Sequence, residues 1–318
     1  MTEQNTITIV TDSDLLEHDT GGGDHPEVPQ RLVVINEHLQ SSRLFPFLSF
    51  TQPYPATRDQ LTVFHTEDWL FRFEEAVLSG KTFIDHTDNQ IGYESFRLAM
   101  LSAGTGITGI DLLEQQKSDT VFCLTRPPGH HAEPNMPYGF CFFNNAVIAA
   151  RHWQKRGRQR VCIFDFDAHH GNGIQTAFEK DPDTLYISIH EHPSFSYPGT
   201  GWAEEHGLDA GAGTILNLPL NPGAGDQQVL ELLDGPVQKL LDEFKPQAII
   251  VAAGFDAHLR DDMSGLNYST ELYNQLAVKI KSWERAFCPG ALLSLLEGGY
   301  DLDSLAESVE AYLSGLLQ

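Results

Sequence analysis

Asp165, Asp167 and His169 occupy every second position of the segment Phe164-Asp165-Phe166-Asp167-Ala168-His169-His170-Gly171-Asn172-Gly173, which follows the apolar run Val161-Cys162-Ile163. Side chains alternate along a strand, so persistence of strand geometry would project all three from one face as metal-type ligands. The Gly-Asn-Gly that follows is backbone able to wrap closely around a site. Chemistry-bearing residues also crowd Asp12-Ser13-Asp14, Arg126-Pro127-Pro128-Gly129-His130-His131, Ala253-Gly254-Phe255-Asp256-Ala257-His258 and Glu297-Gly298-Gly299-Tyr300. Convergence of the last three with the Asp165 segment would assemble Asp, His and Asp around a metal, with two further histidines and a phenol. Two carboxylates and one imidazole suit Zn²⁺, Fe²⁺ or Mn²⁺ rather than an ion selected by thiolates, and three protein ligands leave room for water and substrate. A nearby histidine would remove the water proton and return it to a leaving group. His130 and His131 are placed to divide base and electrostatic roles. This is the inventory of a hydrolase.

These segments need elements to position them, and each follows an apolar, β-rich run. Ile7 to Val10, Val121 to Leu124, Val161 to Phe164, Leu185 to Ile189, Ala248 to Ala253 and Leu292 to Leu296 read as strands. Several are apolar on both faces, as in a parallel sheet covered on both sides. Tyr93 to Leu113, Asn145 to Arg156 and Val229 to Phe244 read as helices, with Gly157 placed to cap the second. Alternation of the two types predicts a single doubly wound α/β domain over residues 1–318, whose site lies beyond the carboxyl ends of the strands.

Composition bounds the partners. The 318 residues carry 20 Lys plus Arg against 44 Asp plus Glu, and the net charge of −24 disfavours nucleic acid. That charge would attract cationic molecules or basic peptides, and it serves solubility equally well. No apolar run approaches the ~18 residues of a membrane helix, and Met1 to Asn5 lacks the basic start of a signal peptide. Four scattered cysteines, with Cys123, Cys141 and Cys162 in apolar surroundings, point to a reduced, cytoplasmic protein.

Taken together, the motifs carry a resemblance. Arg-Pro-Pro-Gly-His-His at 126 to 131, Gly-Phe-Cys-Phe-Phe-Asn-Asn at 139 to 145, Asp-Phe-Asp-Ala-His-His-Gly-Asn-Gly at 165 to 173, Ser-Ile-His at 188 to 190, Tyr-Pro-Gly-Thr-Gly at 197 to 201, Gly-Phe-Asp-Ala-His at 254 to 258 and Glu-Gly-Gly-Tyr at 297 to 300 look like the zinc-dependent histone deacetylase and acetylpolyamine amidohydrolase family. They occur in that family's order, and His25-Pro26-Glu27 with Arg31 resembles its first active-site loop. The forms at 126 and 169 look like the class II branch and its bacterial relatives. The resemblance implies an arginase/deacetylase α/β fold with an eight-stranded, mainly parallel sheet.

Carried over residue by residue, it implies Asp167, His169 and Asp256 as ligands of Zn²⁺, with Fe²⁺ an alternative. It makes Asp165 the partner of His130, and Asn172 that of His131. His131 is then the base and later the acid, His130 assists electrostatically, and Tyr300 donates to the substrate carbonyl. Gly139, Phe140 and Tyr197 match the substrate tunnel, and Asp88 a rim aspartate. Arg31 matches an arginine at the tunnel's inner end. Main-chain carbonyls of Asp165, Asp167 and His169, with Ser188, match a structural K⁺ site. His170, His190 and His258 are read as structural.

Two departures bear on the substrate. The family's polyamine deacetylase carries a glutamate seven residues after the second zinc aspartate, where this chain has Met263. Asp262 replaces the usual proline, and Asp261 and Asp262 are the nearest acids. The Gly80 to Gly92 segment is short beside the loop of bacterial acetylpolyamine enzymes. An acyl-lysine side chain is therefore the first expectation, an acetylated polyamine the alternative, and a non-catalytic acyl-ligand sensor the reading from another class. A two-manganese ureohydrolase is disfavoured because Gly171 stands where its second bridging aspartate would be. No feature fixes or excludes a homo-oligomer.

Overall fold

A computed structural model describes residues 6–21 and 25–318. Eight strands form one sheet in the order β2-β1-β5-β10-β9-β6-β7-β8, with β1 Ile7–Val10, β2 Leu48–Thr51, β5 Thr120–Cys123, β6 Val161–Asp165, β7 Thr184–Glu191, β8 Ile215–Leu220, β9 Ala248–Ala253 and β10 Leu292–Leu296. Every pairing in it is parallel. A separate antiparallel pair, β3 Phe83–Ile84 with β4 His86–Gln90, stands outside the sheet.

Side-chain alternation within the ladder shows how the sheet is covered. Phe122 of β5 is in register with Ser294 of β10, which pairs in turn with Val251 of β9 and so with Phe164 of β6. This row faces helices α9 (Thr270–Phe287) and α10 (Leu302–Leu316): Tyr312 lies against Phe122, its hydroxyl 2.8 Å from Ser294 Oγ, while Trp283 meets Phe164 edge-on. The neighbouring residues Val121, Cys123, Leu293 and Leu295 point the other way, toward α4 (Ser95–Glu114). There Gly106 and Gly109 are tight against them, since a Cβ on Gly109 would stand 2.7 Å from Leu293 Cδ1. The sheet is thus sealed on both faces, which is why its central strands carry apolar residues at successive positions.

The six strands expected from sequence are all present, and two further ones, β2 and β8, form the edges. The expected Val229 to Phe244 helix is α7 (Asp226–Leu232) and α8 (Gln238–Phe244), joined by a five-residue π-helical turn containing Pro236. Proline has no N–H to give an i−4 carbonyl, so the helix widens there instead of running uniformly. Asp12 caps the short helix Ser13–Glu17 and Asp14 pairs with Arg97, so this first strand end is structural.

Parallel pairing puts every strand's carboxyl end at the same edge. The strands preceding the four converging segments, β5, β10, β9 and β6, are neighbours in that order, although they are far apart along the chain. Their loops therefore emerge side by side.

Candidate active site

Strand β6 ends at Asp165, and the chain then turns, so Asp165, Asp167 and His169 do not share a strand face. Carboxylates wind the turn: Asp167 N–H donates to Asp165 Oδ1 (3.1 Å), His169 N–H to Asp167 Oδ1 (2.9 Å), and Ala168 N–H to Asp256 Oδ1 (2.9 Å) from the end of β9. The turn delivers Asp167 and His169 to Asp256 and sends Asp165 elsewhere. Ligand atoms of Asp167, His169 and Asp256 lie within 4.8 Å of one another, and all three residues are buried. Gly254 and Gly298 make room: a Cβ on Gly254 would fall 2.1 Å from Asp167 Oδ2, and one on Gly298 2.3 Å from Asp256 Oδ2.

The donor chemistry fits a divalent cation. His169 Nε2 lies 3.2 Å from the Met263 carbonyl, which only accepts, so that nitrogen carries the proton and Nδ1 presents a lone pair. Both Asp167 Oδ1 (3.1 Å) and Asp256 Oδ2 (2.9 Å) converge on the same Nδ1. Three electron-pair donors directed at one point in a buried place call for a positive charge between them. No thiolate joins the set, because the Cys141 thiol turns to the Gly139 carbonyl.

Beside this cluster, the His130 and His131 rings lie with centroids 4.0 Å apart and planes tilted by 46°, and they have different partners. His130 Nδ1 faces the Asp165 carboxylate (Oδ2, 3.2 Å), which also accepts from the Tyr186 hydroxyl (3.0 Å). Burial opposes charge on His130, but the Asp167 and Asp165 carboxylates outweigh it and push its pKa up to about 10. His131 Nδ1 lies 2.8 Å from Asn172 Oδ1. Asn172 is oriented by Nδ2, which donates to the His131 carbonyl (3.2 Å) and to Glu133 Oε1 (2.9 Å). An amide oxygen only accepts, so His131 carries its proton on Nδ1 and keeps Nε2 free to take one. Burial, reinforced by the neighbouring His130 and His169, holds the His131 pKa well below the usual histidine value.

Three residues here had no role assigned from sequence, Tyr186, Glu133 and Glu297, and Asp261 has a different one from that considered. Glu297 is buried and accepts from the N–H groups of Gly129 (2.7 Å) and His130 (3.2 Å), anchoring the His-His segment. Its place in the 297–300 motif was a signal. Tyr186 lay inside an apolar strand and gave none. Asp261 was singled out as an acid near the rim, but its carboxylate points inward. Oδ2 accepts from Tyr300 N–H (2.6 Å) and Asp301 N–H (3.0 Å), and Oδ1 from Met263 N–H (3.1 Å).

A cavity of about 220 Å³ leads down to these groups. His130, His131, His169 and Tyr300 line it together with Gly139, Phe140, Tyr197, Met263 and Asp88. Tyr197 meets His131 edge-on at 5.1 Å, and Phe140 meets Tyr300 edge-on at 5.9 Å. Behind Tyr300, the Arg31 guanidinium lies 5.0 Å from its ring centroid and donates to the carbonyls of Gly299 (2.6 Å) and Glu297 (2.5 Å). Glu27 sits between Arg31 and Arg126, all three fully buried. Ser188 is opposite Asp165 in the β6–β7 ladder, its hydroxyl 2.8 Å from His190 Nδ1. His170 and His190 hold Thr200 and the Gly201 carbonyl, so they fasten the segment after Tyr197.

Comparison with known proteins gives this arrangement its class. Residues 25–316 match the histone deacetylase domain. The crystal structure of the HDA15 HD domain superposes with a TM-score of 0.91 at 30% identity, covering 98% of this chain and 90% of that one. The fold is the arginase/deacetylase fold, and the chain is a hydrolytic deacetylase. Histone deacetylase 14, chloroplastic, of Arabidopsis thaliana is 37% identical over 92% of this chain and 73% of its own length. A probable deacetylase of Archaeoglobus fulgidus is 34% identical over 93% and 81%, and the histone deacetylase-like amidohydrolase of Pseudomonas aeruginosa 34% identical over 88% and 73%. The chain belongs to the histone deacetylase family.

All four cysteines are free and buried, and among the described residues no helix is long and apolar enough to cross a membrane.

Proposed function

We propose that residues 1–318 form one catalytic domain that removes acetyl or similar acyl groups from lysine side chains, with zinc held by Asp167, His169 and Asp256. The shape and lining of the tunnel carry this reading. Phe140 and Tyr197 offer apolar walls to an aliphatic chain, and among the described residues Asp88 is the only acid lining the cavity. Met263 occupies the position of the polyamine gatekeeper, and Asp261 spends both carboxylate oxygens on backbone N–H groups. Little negative charge therefore faces a bound chain, which favours a neutral acyl-lysine stem over a polycation.

When bound, the cation supplies Lewis acidity toward the acyl carbonyl and acidifies water. The protein's own groups do the rest. Nε2 of His131 takes the proton from the attacking water and delivers it to the departing lysine nitrogen. His130, facing a carboxylate where His131 faces an amide, stays charged and favours the negative charge that develops beside it. The Tyr300 hydroxyl donates to the acyl oxygen as that charge builds. The walls exclude bulk water. For the structural K⁺ site we propose the carbonyls of Asp165, Asp167 and His169 with the Ser188 hydroxyl, supported by the pairing of Ser188 with Asp165. A reducing compartment such as the cytoplasm suits four unpaired thiols.

The test compares kcat/KM of zinc-reconstituted protein on an acetyl-lysine peptide and an N-acetylated polyamine, with a chelator-treated control. Preference for the peptide, abolished by chelation, is expected. Preference for the polyamine would transfer the assignment to that substrate. Binding of either without turnover would make the chain an acyl-ligand sensor.

A further inference from the structure

Phe140, an aromatic wall of the tunnel, stands in a conformation that L-residues seldom adopt. It and Gly139 are the central residues of a tight turn closed by Cys141 N–H to the Tyr138 carbonyl (2.8 Å) and Tyr138 N–H to the Cys141 carbonyl (3.3 Å). Their φ angles are +50° at Gly139 and +69° at Phe140. Two consecutive left-handed residues are the pattern of a type I′ turn, whose second central position favours glycine. A bulky side chain there is strained and persists only where the surroundings hold it.

The hold comes from Asn89, at 0% exposure on β4 of the small antiparallel pair. Asn89 Oδ1 accepts from Phe140 N–H (3.0 Å), and Asn89 Nδ2 donates to the Pro137 carbonyl (3.0 Å). One amide thus brackets the turn, taking the N–H of its strained residue and the carbonyl just before it. An aspartate or an aliphatic residue cannot match both partners in the same way. The adjacent Asp88 lines the tunnel, and its carbonyl lies 3.0 Å from His25 Nε2, whose ring packs on Phe140 at 4.8 Å. Phe140 is therefore fixed from its backbone by Asn89 and from its ring by His25, with both tied to one short strand.

We propose that Asn89 is a positioning residue that locks Phe140 in its left-handed conformation and thereby sets the bore of the substrate tunnel. It touches no reacting atom and acts through Phe140. The functional part of this inference rests on the acyl-lysine reading, and the structural part stands without it. Loss of the lock should weaken binding of the aliphatic chain in the ground and transition states alike.

The test is Asn89→Ala, followed by amide hydrogen exchange and by steady-state kinetics. The Phe140 amide should exchange about 100-fold faster while the amides of β6 keep their protection. KM for the acetyl-lysine peptide should rise about tenfold with kcat within about threefold, the signature of lost uniform binding. In a Phe140→Gly background, where no strain needs holding, Asn89→Ala should shift KM by less than about threefold. Unchanged exchange at Phe140, or an equal KM penalty in both backgrounds, would overturn the proposal. If Asn89→Ala does not fold, Asn89→Asp replaces it: retained Phe140 protection supports the role of the Oδ1 acceptor, and lost protection refutes it. A wild-type protein inactive on acetyl-lysine would sink the substrate reading, while the exchange result still decides the role of Asn89.

Discussion

Replacing Tyr300 by Phe removes one hydroxyl from a site that otherwise stays intact. The ring is held by the Arg31 guanidinium at 5.0 Å and by the edge of Phe140, and the backbone N–H by Asp261 at 2.6 Å. Among the described residues no group accepts from the Tyr300 hydroxyl, which lines the cavity. The substitution therefore breaks no hydrogen bond within the protein, and the cost to folding should stay under about 1 kcal/mol. Its effect on the transition state should be much larger, because losing one preorganised donor to a developing oxyanion costs about 3 kcal/mol, or 10²–10³ in kcat. Burial, opposed by Arg31 and reinforced by Asp256, keeps the phenol well above its ordinary pKa, so it remains a donor at every working pH. The loss should thus be constant from about pH 6.5 to 9. The assay is kcat on an acetyl-lysine peptide across that range, with metal content by elemental analysis and stability by urea unfolding. A kcat within about threefold of wild type would refute the oxyanion role. So would a loss of rate that follows a loss of metal, or a deficit that closes toward alkaline pH.

Asp256→Asn weakens one of three converging donors, and elemental analysis should find less than about a tenth of the wild-type metal after dialysis; full retention would exclude Asp256 as a ligand. Glu27→Gln leaves two buried guanidinium groups facing a neutral amide; urea unfolding should show a loss of about 3–5 kcal/mol, and a loss under about 1 kcal/mol would contradict the inferred dependence on that charge. His65 is buried with Nδ1 on the Glu133 carbonyl and Nε2 accepting from Asn144 N–H, and burial, opposed by its backbone partners, lowers its pKa to about 3. A depressed histidine stabilises the fold above its unfolded pKa near 6.5, and that contribution is lost as pH falls from there toward 3. The stability advantage of wild type over His65→Asn should therefore shrink by about 2 kcal/mol between pH 7.5 and 5.0, and an unchanged difference would show that the ring protonates freely in the fold.

Legibility in the sequence followed exposure. The six strands recognised from sequence lie inside the sheet, where both faces are covered and successive residues are apolar, as in Ile249-Ile250-Val251. The two that escaped are its edges: β2 is half exposed, and β8 alternates buried with partly exposed residues and contains Pro219. Amphipathic α9 and α10 are interrupted by enough polar residues to hide their period. The Asp167, His169 and Asp256 cluster was legible because its residue types are conspicuous, yet the strand period placed Asp165 with the wrong companions, since β6 ends at Asp165 and carboxylate-capped turns follow. Asn89 was invisible: a buried asparagine on a two-stranded excursion shows its importance only when Phe140 is seen at positive φ.

The order of the strands also dictates when activity arises in the life of the chain. His169 and Asp256 are 87 residues apart, and β9 must pair with β6 before they can meet, with β10 then filling the place between β9 and β5. During synthesis, Asp167 and His169 leave the ribosome long before their third companion, and Tyr300 follows later still. On the proposed roles, a nascent chain would therefore have neither a complete set of metal ligands nor the phenol of Tyr300. Closing such distant pairings is the slow part of folding an all-parallel sheet. Metal captured by this trio would consequently report that β9 has paired with β6, which would make ion uptake a clock for that step of maturation.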